Sequence, residues 1–569
     1  MKESRVTKLG IIPIGQQFIE ELGISELIDS HIESGKEEIS HGKVVNVLLL
    51  NLLDNVCPLY KVSDWLGNYT DGIGNFAIEA SKFHDKRLGS TLDAIYKSNR
   101  HTILSELSGR VIARHEIATD IIHNDTTSVT FTGAYKQNQA VGSEIVLTQG
   151  YNKDHRPDCK QIVFGLNVSA DGYVPLMGQL YSGNKSDDQT HQVNWQALRE
   201  LLNRVDFIYI ADSKLSTTEN LLYIAGAGGF FISILPATRK EVKDFYKELA
   251  EIGRTNCGVL PCEWPEVYRK ENSRKQGEFI IYRIKENQQT KEGFRLLWVH
   301  SSAKAEQDEK RRQAKLERGV QFLEELQPKL NHYYLKTEEQ ILYSIEKGLG
   351  KSLQLFDIQI IAREQIVKKQ KGRGRPGVNT EWEKQTIISY ELVYSINQLA
   401  VKIAATKDGI FPLVTNTKIE PVEVLKNYKN QPYLEKRFNT LKSVLEVAPV
   451  FLKMPHRVEA MLFLYLIALM LIALIERRIR KNMEAQKITA LPILPQGMKT
   501  KKPTWSNIKF CFNRIIMLSV LFGNQEDWQR QIKGIGKNQQ AVLQLLEVEE
   551  SKYQKMSPDW WKTITTRGG

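Results

Sequence analysis

Cysteine is scarce. Cys57, Cys159, Cys257, Cys262 and Cys511 are spread over 569 positions with no CxxC pair among them. That scatter supports neither a disulfide framework nor a tetrahedral zinc site. The opening residues, MKESRVTKLGIIPIG, lack the apolar stretch of roughly 7–15 residues and the small-residue cleavage site of a secretory signal, so the expectation is a protein of the reducing cytoplasm. A membrane span is missing too. The longest uncharged apolar run, AMLFLYLIALMLIALI from Ala460 to Ile475, is bracketed by Glu459 and Glu476. As a helix it covers roughly 24 Å, short of a hydrocarbon core of about 30 Å, and is expected to be a helix buried on all sides inside a domain. No internal repeat is visible.

What is present is ordinary globular material, 41% hydrophobic and 25% charged, which rules out wholesale disorder. At about one to two hundred residues per domain, the length implies about three to five domains. Seventy-eight basic against 66 acidic residues leave a net charge of +12. A cationic surplus favours polyanionic partners, nucleic acid first and an anionic membrane surface second.

The texture changes along the chain. Residues 1–115 carry apolar residues at spacings of three and four, as in FIEELGISELIDSHI and GKVVNVLLLNLLDNV, and predict a helical N-terminal domain. From 116 to 235 short β-branched runs (TDIIHND, KQIVFGLNV, YVPLMGQLY, VDFIYIADS, GGFFISIL) alternate late with two helical stretches, an order of β-β-β-α-β-α-β. This predicts a mixed α/β sheet of the kind found in ribonuclease H-like cores. Residues 236–398 lose that rhythm: EFIIYRI, FRLLWVH and TIISYELVYSI flank a charged helical run and the basic loop KKQKGRGRPG. They read as a β-rich insertion. The core is expected to resume over 399–485, with 486–569 forming a C-terminal helical region.

Three carboxylates stand out. Asp125 ends the apolar run IIHND and Asp212 ends FIYIAD. Ligands collect at strand ends of mixed sheets, and paired carboxylates there suit hard divalent cations. Either Asp could equally cap a turn. Glu435 lies in KNYKNQPYLEKRFNTLKSVLEV, where Tyr428, Gln431, Glu435 and Lys442 fall at offsets of three, seven and fourteen, close to one face of a helix. A solvated Glu–Lys–Arg surface is the plain alternative. His123, His155 and His191 lie near these residues and read as structural or as nucleic-acid contacts. Trp264, Trp298 and Trp382 lie in the insertion and read as core.

The spacing Tyr428-x2-Gln431-x3-Glu435-x6-Lys442 resembles the signature Y-x2-R-x3-E-x6-K of bacterial insertion-sequence DDE transposases that carry a β-rich insertion between the second Asp and the Glu. HNDTTSVTFTG, KDHRPDCKQIVFGLNVSADGYVPL, GNKSD, ADSKLSTTENL and YLEKRFNTLKSVLEVAPVF are similar to the subgroup with a long helical front domain, and the resemblance spans roughly residues 1 to 520. It implies a ribonuclease H-like core, metal ligation and catalysis by Asp125, Asp212 and Glu435, two Mg²⁺ ions with Mn²⁺ able to substitute, and backbone contacts to DNA from Tyr428 and Lys442. It further implies terminal inverted repeats and target DNA as substrates and a homodimer on paired ends. Gln431 departs from the signature's Arg, turning an ionic phosphate contact into a neutral hydrogen bond. Eighty-six residues separate the two Asp and 222 separate Asp212 from Glu435, room for the whole insertion. A DNA-binding protein without activity and a nuclease of the same fold without strand transfer remain as alternatives.

Overall fold

The computed structural model describes the chain apart from residues 1–2, 34, 36, 70–79, 132–144, 151–157, 186–189, 273–276, 333, 372, 375, 378–380, 448–451, 453, 522–528 and 556–569. Two compact units form, one of Met1–Ser233 with Lys426–Gly569 and one of Ile234–Leu425.

The first unit opens on a strand, β1 (Glu3–Lys8), and then on the helices that the apolar spacing predicts: α1 (Ile12–Leu22), α2 (Ile24–His31), α3 (His41–Asp54), α4 (Val62–Gly67), α5 (Asp85–Lys97) and α6 (Arg100–His115). Five strands follow, β2 (Ile121–Phe131), β3 (Lys160–Ser169), β4 (Pro175–Ser182), β5 (Ile208–Ile210) and β6 (Phe230–Ile234). Helix α7 (His191–Leu202) joins β4 to β5, and α8 (Thr218–Gly226) joins β5 to β6. Their order in the sheet is β4-β3-β2-β5-β6. The first three are antiparallel hairpin partners, whereas β2, β5 and β6 run parallel because a crossover helix returns each chain to the starting edge.

The second unit contains α9 (Lys240–Thr255), β7 (Glu266–Glu271), β8 (Phe279–Gln289), β9 (Arg295–Ser301), α10 (Ser302–Leu326), α11 (Glu338–Leu349), β10 (Phe356–Gln370), β11 (Trp382–Ile396), α12 (Gln398–Ala405) and β12 (Ile410–Thr415). Strands β12, β9, β8 and β7 form an antiparallel set in that order, while β10 and β11 pair only with each other. Sequence texture placed the end of this block at 398, but the unit runs on to Leu425, because α12 packs on α9 and β12 pairs with β9.

The chain returns to the first unit through the last turn of α13 (Pro421–Tyr428) and through α14 (Pro432–Asn439) and α15 (Pro455–Ala485). Ala460–Ile475 is buried along its whole length in α15. The helix packs on β4, α3 and α5, and Gly178 of β4 admits it: a Cβ there would come within 2.7 Å of the Leu466 side chain. The charges that bracket the apolar run are both paired, Glu459 with Arg100 and Glu476 with Arg437. The C-terminal part is not wholly helical. Beside α16 (Trp505–Phe512), α17 (Lys537–Leu546) and α18 (Ser551–Lys555), it supplies β13 (Ile516–Leu521) and β14 (Gln529–Lys533), and β13 pairs with β1. These strands are short, and β1, which β13 pairs with, lies more than 500 residues away, so no local period announced them.

Candidate functional site

Asp125 and Asp212 meet through strand register. Strands β2 and β5 pair in parallel as Ile121↔Ile208, Ile122↔Tyr209 and His123↔Ile210. Each Asp stands two residues beyond the last of these pairs, Asp125 within β2 and Asp212 just past the end of β5, so the two side chains leave neighbouring segments whose axes are about 4.8 Å apart. Local hydrogen bonds fix both. Asp125 Oδ1 accepts from the Thr126 N–H at 2.7 Å, and Asp212 Oδ1 accepts from the Lys214 N–H at 2.9 Å. The Asp212 carbonyl also accepts from Ser233 Oγ of β6 at 2.6 Å. Asp212 is therefore a turn residue as well as a member of the pair, and the two readings of it coexist.

The segment carrying Glu435 is not one helix. Tyr428 is the last residue of α13, Gln431 is the N-cap of α14, Glu435 lies in its first turn, and Lys442 sits in a π-helical turn over Thr440–Val444. Pro432 explains the break. Its ring has no N–H to continue α13, but its fixed φ suits the first position of a new helix. The single helical face expected from the offsets is thus replaced by three short pieces.

Tertiary contacts orient those pieces. Gln431 Oε1 lies 2.9 Å from His123 Nδ1, and Gln431 Nε2 donates to the Asn124 carbonyl at 2.8 Å. Both ends of the amide are thereby engaged with β2, next to Asp125. Burial lowers the His123 pKa to about 4, against the opposing effect of this hydrogen bond, and keeps the ring neutral. With Nε2 of the glutamine donating, its oxygen accepts, which assigns the proton to His123 Nδ1. On the other side of α14, Arg437 donates to the carbonyls of Tyr173 and Gly172 at 2.9 and 2.8 Å and pairs with Glu476 at 2.7 Å. Tyr433 stacks on Tyr173 with ring centroids 4.5 Å apart. Gly172 makes this turn possible: its φ is 75°, and a Cβ would meet the Arg477 side chain at 2.7 Å.

Glu435 remains exposed while Leu434, Arg437 and Phe438 go inward. The convergence shows at Tyr428. Burial raises the pKa of its phenol, and Asp212, Asp125 and Glu435 each raise it further by disfavouring a fourth negative charge among them. Residues distant in sequence thus come near enough to Tyr428 to act on its hydroxyl electrostatically. Among the described residues no group of three or more His, Cys, Asp or Glu side chains stands close enough to share one metal ion.

Other singled-out residues separate. His123 and His191 are buried, the latter with Nδ1 3.1 Å from the Tyr209 hydroxyl. His155 lies outside the described residues. Trp298 is buried against Phe245 and Trp264 is buried, but Trp382 is 52% exposed, contrary to its reading as core, because it stands at the far end of the β10–β11 pair. Sequence reasoning missed Arg437, Tyr433 and Ser233. Arg437 follows Glu435 and Lys436 and reads as surface, and nothing local distinguishes it from its exposed neighbours.

A family model described as a domain of unknown function, DUF4277, matches residues 4–109. No curated protein sequence matches the chain. Among solved structures, the piggyBac transposase synaptic complex with hairpin DNA has a TM-score of 0.36 at 8% identity, covering 90% of this chain and 83% of that one. The Mos1 transposase paired-end complex with the left transposon end has a TM-score of 0.14 at 10% identity, covering 35% of this chain and 60% of that one.

Proposed function

We propose that the chain is a DNA transposase of the insertion-sequence kind, with a ribonuclease H-like core and a catalytic triad of Asp125, Asp212 and Glu435. The observation that carries this reading is the parallel pairing of β2 with β5, which puts Asp125 and Asp212 at the same level, with Tyr428 within electrostatic reach of both and of Glu435. The sheet supports it: three antiparallel strands followed by two parallel ones, in spatial order third-second-first-fourth-fifth, put the first and fourth strands side by side, with Asp125 in the first and Asp212 two residues past the end of the fourth. The donors are all carboxylate oxygens, which fits hard divalent cations. Mg²⁺, with Mn²⁺ as a substitute, is the group the triad would hold, as two ions, once Asp125, Asp212 and Glu435 draw closer together than they stand here, and when bound it would supply charge stabilisation at the phosphoryl oxygens.

The chain's own groups have distinct tasks. Gln431 ties the start of α14 to β2 beside Asp125, and Arg437 ties its inner side to the Gly172–Tyr173 turn, which together fix where Glu435 stands. Tyr428 lies within electrostatic reach of the carboxylates and Lys442 follows α14 in the next turn; their phenol O–H and ammonium can donate to phosphate oxygens and position the scissile strand. Water attacks the phosphate at the element's end and its 3′-oxygen leaves as a free 3′-hydroxyl, and that hydroxyl then attacks a phosphate of the target, displacing the target strand's own 3′-oxygen. Terminal inverted repeats and target duplex are the substrates, a homodimer holds two ends together, and the cytoplasm is the site of action.

The test uses Asp125→Asn, Asp212→Asn and Glu435→Gln in the full chain with duplexes ending in the flanking inverted repeat. Each change should abolish end cleavage and weaken the heat of Mn²⁺ binding in calorimetry, with duplex affinity largely kept, because affinity is distributed over many phosphates. Cleavage within tenfold of wild type removes that residue from the triad.

A further inference from the structure

Strands β10 and β11 pair over their whole length, from Phe356↔Ile396 to Gln370↔Trp382, and among the described residues neither has another partner. At about 3.3 Å per residue this ribbon is roughly 45–50 Å long. Its base is anchored. Phe356 and Leu392 are buried, and Ile358, Ile360, Tyr390 and Tyr394 pack on Leu316, Leu323, Ile341 and Ile345 of α10 and α11. Beyond Ala362↔Tyr390 the packing ends, and Ile366 is 67% exposed, with Ile387, Ile388 and Trp382 about half exposed. A two-stranded ribbon standing in water is marginal by itself, so this length of unsupported strand is a costly feature without a partner.

Charge is divided along it. Residues 366–384 hold six basic residues (Lys368, Lys369, Lys371, Arg373, Arg375, Lys384) against Glu381 and Glu383, a net of +4. The basal stretches, 356–365 and 385–396, hold Arg363 against Asp357, Glu364 and Glu391, a net of −2. The register divides the two faces as well. Lys368 stands opposite Lys384, between the pairs Ile366↔Thr386 and Gln370↔Trp382, while on the other face Lys369 stands opposite Glu383. Like charges directly across a ladder destabilise it, and an anion between them removes the penalty.

We propose that the distal β10–β11 ribbon is an arm that grips double-stranded DNA with its Lys368/Lys384/Trp382 face. The proposal rests on the reading of the protein as DNA-processing and adds to it a binding element outside the catalytic residues. Duplex DNA is the polyanion whose shape fits: its major groove, about 12 Å wide, admits a two-stranded ribbon, and phosphates line both rims. A groove also provides a surface for the exposed Ile and Trp side chains at the rim.

The experiment titrates full-length wild type and Lys368→Gln/Lys384→Gln with a random-sequence 40-base-pair duplex over a range of salt. A control variant replaces the exposed Lys247 and Lys310. Loss of two phosphate contacts should weaken binding at least tenfold at low salt and lower the slope of log K against log salt by about two, with the control unchanged. An unchanged slope in the arm variant, with wild-type binding normal, overturns the arm and leaves the DNA-processing reading standing; wild type that binds no duplex overturns both. Equal dependence on the two lysines for anionic vesicles with 30% phosphatidylserine overturns the assignment to DNA. Amine-reactive footprinting of wild type needs no variant to fold: duplex should shield Lys368 and Lys384 more than Lys247, and equal labelling with and without duplex overturns the proposal.

Discussion

Gln431 shows how one side chain can take on a task that its position in a motif does not suggest. Its spacing aligns it with an Arg that touches phosphate, yet its amide is engaged with His123 and the Asn124 carbonyl of β2. Removing it strands a buried imidazole N–H and a backbone carbonyl, at a cost of about 1–3 kcal/mol. We expect Gln431→Ala to unfold at lower urea and to cleave more slowly, because α14 loses its hold beside Asp125, while duplex affinity and its salt slope stay at wild-type values. A variant with normal stability and a flatter salt slope would instead put Gln431 on the nucleic acid. Arg437 belongs at the same scale. Its three bonds to Tyr173, Gly172 and Glu476 set the rotation of α14, and a Glu-Lys-Arg sequence carries no sign of which cation turns inward.

At the scale of elements, the burial of the apolar run 460–475 was legible: sixteen uncharged residues are too apolar for any surface, and α15 buries them, although the helix runs for 31 residues, so burial rather than length sets it apart from a membrane span. Leu469 is fully buried. A lysine there finds no partner among neighbouring aliphatic side chains and costs several kcal/mol, a large fraction of a domain's stability. Leu469→Lys should therefore give insoluble or trypsin-sensitive protein, and recovery of a soluble, active enzyme would show that the helix is less essential to the core than its burial implies. The helix around Glu435 was legible only in part. Its offsets suggested one continuous face, but Pro432 ends that continuity, and packing rather than helical period brings Tyr428, Glu435 and the two Asp residues together. Strands β7 and β10 were not visible as elements because their mixed polar sequences do not alternate cleanly; hydrogen bonding to a more apolar neighbour makes them strands.

For the whole molecule, burial sets the response to acid. His115 in the first unit and His300 in the second are both held down to about pKa 4, chiefly by burial and then by Arg478 and Arg283 respectively. Below the unfolded value near 6.5 the unfolded chain binds protons that the folded chain refuses, so stability falls as pH drops from about 6.5 towards 4. The urea midpoint should decline between pH 7 and pH 5, and the decline should be shallower in His115→Gln/His300→Gln. Equal slopes for variant and wild type would mean that other groups carry the acid response.

The sequence by itself determined the alternation β-β-β-α-β-α-β, the helical front and the buried run, because each rests on a local property: a period of two or 3.6, or an uncharged stretch. Only the tertiary structure decided the pairing of β1 with β13, the extent of the second unit, the inward turn of Gln431 and Arg437, and the exposure of Trp382 on the ribbon. Those outcomes depend on partners tens to hundreds of residues away, and the free energy of a non-local contact has no trace in the neighbouring residues. Asp125 and Asp212 become a pair for the same reason: a register of three residues between two strands, set by packing of the whole sheet, brings them to one level.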